Sequence, residues 1–142
     1  MMTIDQLMEK YQKIISTPIE SPTPTFNESG ETMELLLQTN SMRILVIRES
    51  VNPQTVSLEV EVWLPNRHPN TLDTKSKTTK TELDDEDLTT TLSQMIDHLQ
   101  YLLKLQQSGF TLDVIKHDCL WTASKSFTKT PSRALFELLI PP

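Results

Sequence analysis

His117, Asp118 and Cys119 stand in a row and are the first residues to weigh for chemistry. On a strand, His117 and Cys119 point the same way and could share a metal ion or form a thiol–imidazole pair. A tetrahedral site needs two more ligands. The other histidines, His68 and His98, complete no C-x-x-C or H-x-x-x-H spacing with this pair. The simpler reading is a small buried thiol beside a strand histidine. Ser126 and Lys129 match S-x-x-K, the serine–lysine pair of penicillin-binding enzymes, but the chain lacks the S-D-N and K-T-G elements those enzymes need. Asp84, Asp85, Glu86 and Asp87 could hold a cation. No EF-hand loop follows them, and acids in a first helical turn are expected from the helix dipole alone.

Glycine limits the chemistry further. The chain has 2 glycines, Gly30 and Gly109. Phosphate-cradling loops and nucleophile elbows need glycine so that backbone N–H groups can approach a ligand. G-x-G-x-x-G, G-x-x-x-x-G-K-[ST] and G-x-S-x-G cannot be written from these two. The sequence therefore predicts no catalytic residue, no metal site and no cofactor, and reads as a non-enzyme.

Two kinds of binding surface can be composed. Arg43, Arg48, Arg67, Lys75, Lys77 and Lys80, with Trp63 for stacking, could face a single nucleic-acid strand. The formal net charge of −6 over 142 residues opposes this, because the partner is itself an anion. The second surface is apolar. His98, Tyr101 and Leu105 lie away from the main stripe of a long helix, and Trp63 sits on the polar side of an alternating strand. Large apolar groups on a wet face mark contact with another chain. The leading expectation is a protein-binding module whose partner is another protein or a second copy, with a single-stranded nucleic-acid binder as the first alternative and an enzyme whose site is built from scattered residues such as His98, His117 and Asp118 as the second. No apolar run is long enough for a bilayer, so no membrane partner is expected. One cysteine and no signal-peptide pattern point to a cytoplasmic location.

The elements that must position these residues follow from spacing. Thr3 and Gln6 form a capping box for a helix over residues 4–15, with Ile4, Leu7, Met8, Tyr11, Ile14 and Ile15 on one face. Residues 16–30 read as a proline-rich arm and residues 65–84 as a polar loop. Residues 43–48 and 56–64 read as strands. The second alternates, with Val56, Leu58, Val60, Val62 and Leu64 inward and Ser57, Glu59, Glu61 and Trp63 outward. Residues 34–38 fit helix or strand.

One long amphipathic helix should run from about residue 84 to Gly109. Its stripe is Leu88, Leu92, Met95, Ile96, Leu99, Leu102 and Leu103. Burying it would contribute roughly 10–20 kcal/mol gross, at about 1.5–3 kcal/mol per side chain. Residues 110–127 read as one strand with apolar groups on both faces, from a bulge or from partly two-sided burial. Residues 134–140 read as a last strand. The expected architecture is a single α+β domain over residues 1–142. It has a mostly antiparallel sheet of about four to five strands, with a short N-terminal helix and the long helix packed on one face.

Overall fold

Thr3 opens the first helix as its type predicts. Its hydroxyl accepts from Gln6 N, and the Gln6 side chain accepts from Thr3 N at 2.9 Å. Two orphan donors of the first turn are thereby satisfied. Helix α1 spans Ile4–Ser16 and buries Leu7, Tyr11 and Ile14. The computed structural model describes residues 2–17, 25–26, 31–48, 55–63, 85–116 and 119–140.

The strands are β1 (Thr25–Phe26), β2 (Thr32–Gln38), β3 (Met42–Arg48), β4 (Val56–Val62), β5 (Thr111–Lys116) and β6 (Cys119–Phe127). They form one sheet in the order β1-β2-β3-β4-β6-β5, antiparallel throughout. The α+β class holds. The sheet has five full strands, and β1 adds two residues at one edge. The ambiguous residues 34–38 are strand, with a register shift between Leu35 and Leu37. The remaining helices are α2 (Asp85–Asp97), α3 (Leu99–Gln107) and α4 (Arg133–Leu139).

Residues 110–127 are a hairpin and not one strand. Val114 pairs with Trp121, and Lys116 with Cys119. A single strand of that length would extend about 60 Å, far beyond the usual strand. The reversal resets the side-chain phase. Leu112 and Val114 therefore share a face with Trp121 and Ala123, although they stand on opposite faces of a continuous strand. This explains the two-sided apolar pattern without a bulge.

Residues 134–140 form most of α4, again against the strand expectation. Ser132 is its N-cap and accepts from Leu135 N. Leu135, Phe136 and Leu139 fall on one helical face and are buried. Phe136 meets Tyr11 edge to face, 5.1 Å between ring centres. The apolar run is too short for its period to separate helix from strand, and packing against α1 decides.

Leu36, Met42, Ile44, Val46, Leu58, Val60, Val62 and Ala123 present the sheet to Leu7, Tyr11, Ile14, Tyr101, Leu102, Leu105, Leu135, Phe136 and Leu139 of α1, α3 and α4. Helix α3 stops at Gly109, as its sequence predicts. Phe110 N donates to Leu105 O, and Gly109 N to Gln106 O. Gly109 takes φ 96°, the left-handed conformation that a Schellman stop requires.

The long helix is the largest correction. Its hydrogen bonds run through His98, since His98 N reaches Gln94 O and Leu102 N reaches His98 O. The backbone leaves helical geometry there, with φ −99° and ψ 4°, so α2 and α3 are separate elements. Of the predicted stripe only Leu102 and Met95 reach the core, Leu102 buried within it and Met95 packed against it. Leu88, Leu92, Ile96, Leu99 and Leu103 are exposed, Ile96 at 72%. Tyr101 and Leu105, expected on an outer ridge, are buried at 5% and 0%. Leu102 joins them. The core takes Tyr101, Leu102 and Leu105 of α3, with Met95 of α2 packed at its margin, and leaves the rest of the wide stripe outward.

Alanine substitutions read this inversion directly. Leu105→Ala should cost about 2–5 kcal/mol in denaturant unfolding, the range for a buried leucine. Ile96→Ala should change stability by less than about 0.5 kcal/mol. The reverse ranking would put the wide stripe back in the core. Burial also pushes the Tyr11 phenol up to about 12 and raises that of Tyr101. The folded state then holds its phenolic protons more tightly than the unfolded chain. The associated stability is whole below pH about 10 and is lost as pH rises toward about 12. Tyrosinate absorbance should therefore appear only together with loss of the native circular dichroism.

Candidate functional site

Arg43 and Glu61 are direct cross-strand partners on the face of the sheet away from α1, α3 and α4. Alternation predicts that face to be wet. It is not. Arg43 and Glu61 are 2% exposed and Trp63 is fully buried. The Arg43 Nε donates to Glu61 Oε1. The Trp63 indole N–H donates to the same oxygen at 3.2 Å. The guanidinium carbon lies 5.5 Å from the Trp63 ring centre, within cation–π range. Met33, Leu45 and Ile47 make a second apolar cluster on this face, and Thr122 stands opposite Glu61 on β6.

The backbone holds Trp63 as firmly as its ring does. Trp63 N donates to Ser41 O at 2.7 Å, and Gln94 Nε2 donates to Trp63 O at 3.0 Å. The expectation of Trp63 as an exposed contact is therefore corrected: it is the apolar wall of a buried ion pair. The Glu61 carboxylate thus accepts from two donors, one of them the guanidinium paired with it, and both charges are buried. The cluster performs a structural task.

Arg48 is drawn in at the other end of β3. Its guanidinium donates to Glu34 Oε1 at 2.5 Å and to the carbonyls of Ile15 and Thr17. A cation thus sits on the last carbonyls of α1, where the dipole favours it. Arg43, Arg48 and Trp63 are all consumed inside the fold, which removes described support for the nucleic-acid surface. Its other members, Arg67, Lys75, Lys77 and Lys80, lie outside the described residues.

His117 and Asp118 also lie outside the described residues. The S-x-x-K pair does not assemble: the Ser126 hydroxyl meets that of Ser57 at 2.9 Å, while Lys129 lines a groove with Tyr11 and Ile15. Among the described residues no three histidine, cysteine, aspartate or glutamate side chains group as metal ligands. Among them, too, no helix is long and apolar enough to cross a membrane. His98 is half-buried at the junction of α2 and α3, and the Tyr101 hydroxyl donates to Leu139 O at 3.2 Å. Neither residue projects as an outer ridge with Leu105.

The accessible feature is the outer side of α2 and α3. Leu88, Leu92, Ile96, Leu99 and Leu103 form a row there, between 42% and 72% exposed. Beside Ile96 runs a groove of about 400 Å³ toward α4, lined by Gln100, Lys104, Leu138 and Ile140. Spacing reveals these residues as a stripe, but it cannot say which of two stripes the sheet will take. Comparison with protein-family models, curated proteins and solved structures finds no match.

The ion pair makes a quantitative prediction. Arg43→Met or Glu61→Met alone leaves a buried charge without its partner and should cost about 3–5 kcal/mol. The double replacement should be less destabilising than the sum of the two. Additive losses in a double-mutant cycle would show that the two groups do not act as a pair.

Proposed function

We propose that this chain is a non-enzymatic protein-binding module. It acts inside the cell as an adaptor, assembly factor, chaperone-like protein or complex subunit. The observation that carries the reading is the exposed row Leu88, Leu92, Ile96, Leu99 and Leu103 on α2 and α3. Single exposed leucines are ordinary on protein surfaces. Five along two successive helices are not, because clustered apolar surface promotes association unless a partner covers it. The charged groups that could do chemistry elsewhere support the same reading. Arg43, Arg48, Glu34 and Glu61 hold one another within the sheet and α1.

The surface proposed here differs from Trp63, Tyr101 and Leu105, whose burial withdraws them from any contact made by the folded chain. It uses the residues that spacing would assign to the core. Partner residues would enter between turns of the helix, with apolar anchors in the row and a polar rim.

The triple variant Leu92→Glu, Ile96→Glu, Leu103→Glu tests this. All three positions are exposed, so the melting temperature should stay within a few degrees of the parent. Proteins that co-purify with the parent chain from its native cell should be lost from the variant. An unchanged set of co-purifying proteins would defeat the proposal.

A further inference from the structure

We propose that the groove between the C-terminal half of α1 and the ends of β4 and β6 is a binding site for a small monocarboxylate with an apolar tail. It is separate from the row on α2 and α3 and does not depend on it. Val56 and Phe127, direct cross-strand partners on the helical face of the sheet, form its floor. Tyr11 and Ile15, one turn apart on α1, form its wall. Thr128, Lys129 and Thr130 form the rim, in the turn that leads from β6 to α4. The space is about 240 Å³. Sites for drug-sized ligands hold roughly 300–1,000 Å³, so the occupant is small.

The polar end marks the groove as a site. Tyr11 is 1% exposed and its ring is held against Phe136, yet its hydroxyl has no hydrogen-bond partner among the described residues. A buried hydroxyl is normally paired, because leaving it bare in an apolar setting is costly. Tyr101, also buried, obeys that rule by donating to Leu139 O. Burial pushes the Tyr11 phenol up to about 12, so it stays a donor at neutral pH. Lys129, Thr128 and Thr130 are exposed and likewise make no hydrogen bond or ion pair with the described residues. Water can satisfy the phenol, but it leaves Ile15, Val56 and Phe127 hydrated. A ligand with an acceptor at one end and an apolar body answers both.

Charge selects the acceptor. None of the described lining residues is acidic, on a chain whose net charge is −6. The groove therefore favours an anion. Arg48 donates to the carbonyls of Ile15 and Thr17, which offsets the negative end of α1 beside the wall. One lysine matches one negative charge. A phosphate monoester carries about −1.5 to −2 near neutral pH and would be under-compensated. A carboxylate offers about four lone-pair sites on two oxygens, and the ammonium, the phenol and the two threonine hydroxyls are donors for them.

Hexanoate is the probe, with hexan-1-ol, acetate and inorganic phosphate as controls, each titrated into the full chain and followed by amide NMR shifts. Hexanoate should bind with a Kd of about 0.1–1 mM, within the bound for so few atoms, and shift the amides of Tyr11, Phe127 and Lys129. Hexan-1-ol lacks the charge and acetate the tail, and each should bind at least about tenfold more weakly. Lys129→Met, at an exposed position, should weaken hexanoate about tenfold. Tyr11→Phe keeps the ring on Phe136 and removes only the hydroxyl. It should weaken hexanoate several-fold and leave hexan-1-ol unchanged. A crevice that is only apolar would take hexan-1-ol and hexanoate alike and ignore both substitutions, and that result would overturn the proposal. Phosphate binding tighter than hexanoate would overturn it too, as would unshifted amides at about ten times the expected Kd. The triple variant Leu92→Glu, Ile96→Glu, Leu103→Glu should bind hexanoate like the parent, so this site and the protein-binding surface stand or fall separately.

Discussion

Every side chain of β3 is out of water. That constraint governs the rest. A strand buried on both faces must be apolar or must neutralise whatever charge it carries, because an isolated buried ion costs several kcal/mol. Ile44, Leu45, Val46 and Ile47 meet the first condition, and Arg43 and Arg48 at the ends must meet the second. Each arginine does so by recruiting a different part of the chain. Arg43 takes Glu61 from β4, and Trp63 closes over the pair. Arg48 takes Glu34 from β2 and the terminal carbonyls of α1. The two ion pairs therefore help set the register of β2, β3 and β4 and the place where α1 ends against the sheet.

The helical layer answers the same strand from one side. Helices α1, α3 and α4 bring Tyr11, Tyr101 and Phe136 into one core, tied by the Tyr11–Phe136 ring contact and the Tyr101 hydroxyl on Leu139 O. The sheet has room for Leu102 and Leu105 of α3. Once that face is taken, Leu88, Leu92, Ile96, Leu99 and Leu103 remain exposed on α2 and α3. An apolar surface left over from core formation thus becomes the proposed contact surface, and packing and function draw on one helix from two sides.

Local signals in the sequence were reliable wherever one physical requirement dominates. The capping box at Thr3 and Gln6 and the glycine stop at Gly109 are imposed by backbone hydrogen bonding within a few residues, and β4 was legible as a strand from the two-residue period of its side chains. Legibility failed where two answers have the same period. The run in α4 is short enough to read as either element. Residues 110–127 looked like one strand because alternation continues, with its phase changed, on both sides of a tight reversal. The outward side of β4 looked wet because glutamate is usually solvated. Arg43 sits opposite Glu61 only through a register that neither strand announces alone.

The amino-acid order by itself determined the α+β class, the antiparallel sheet, the first helix with its cap, and the absence of glycine-built phosphate and nucleophile motifs. These follow from periodicity, capping and composition, which act over short stretches of chain. Tertiary structure alone decided which stripe of α2 and α3 is buried, that Trp63 shields an ion pair, and that Arg43 and Arg48 are spent inside the fold. Those outcomes depend on which surfaces meet. Burial free energy belongs to the pair of faces brought together, so a single stripe cannot reveal its own partner.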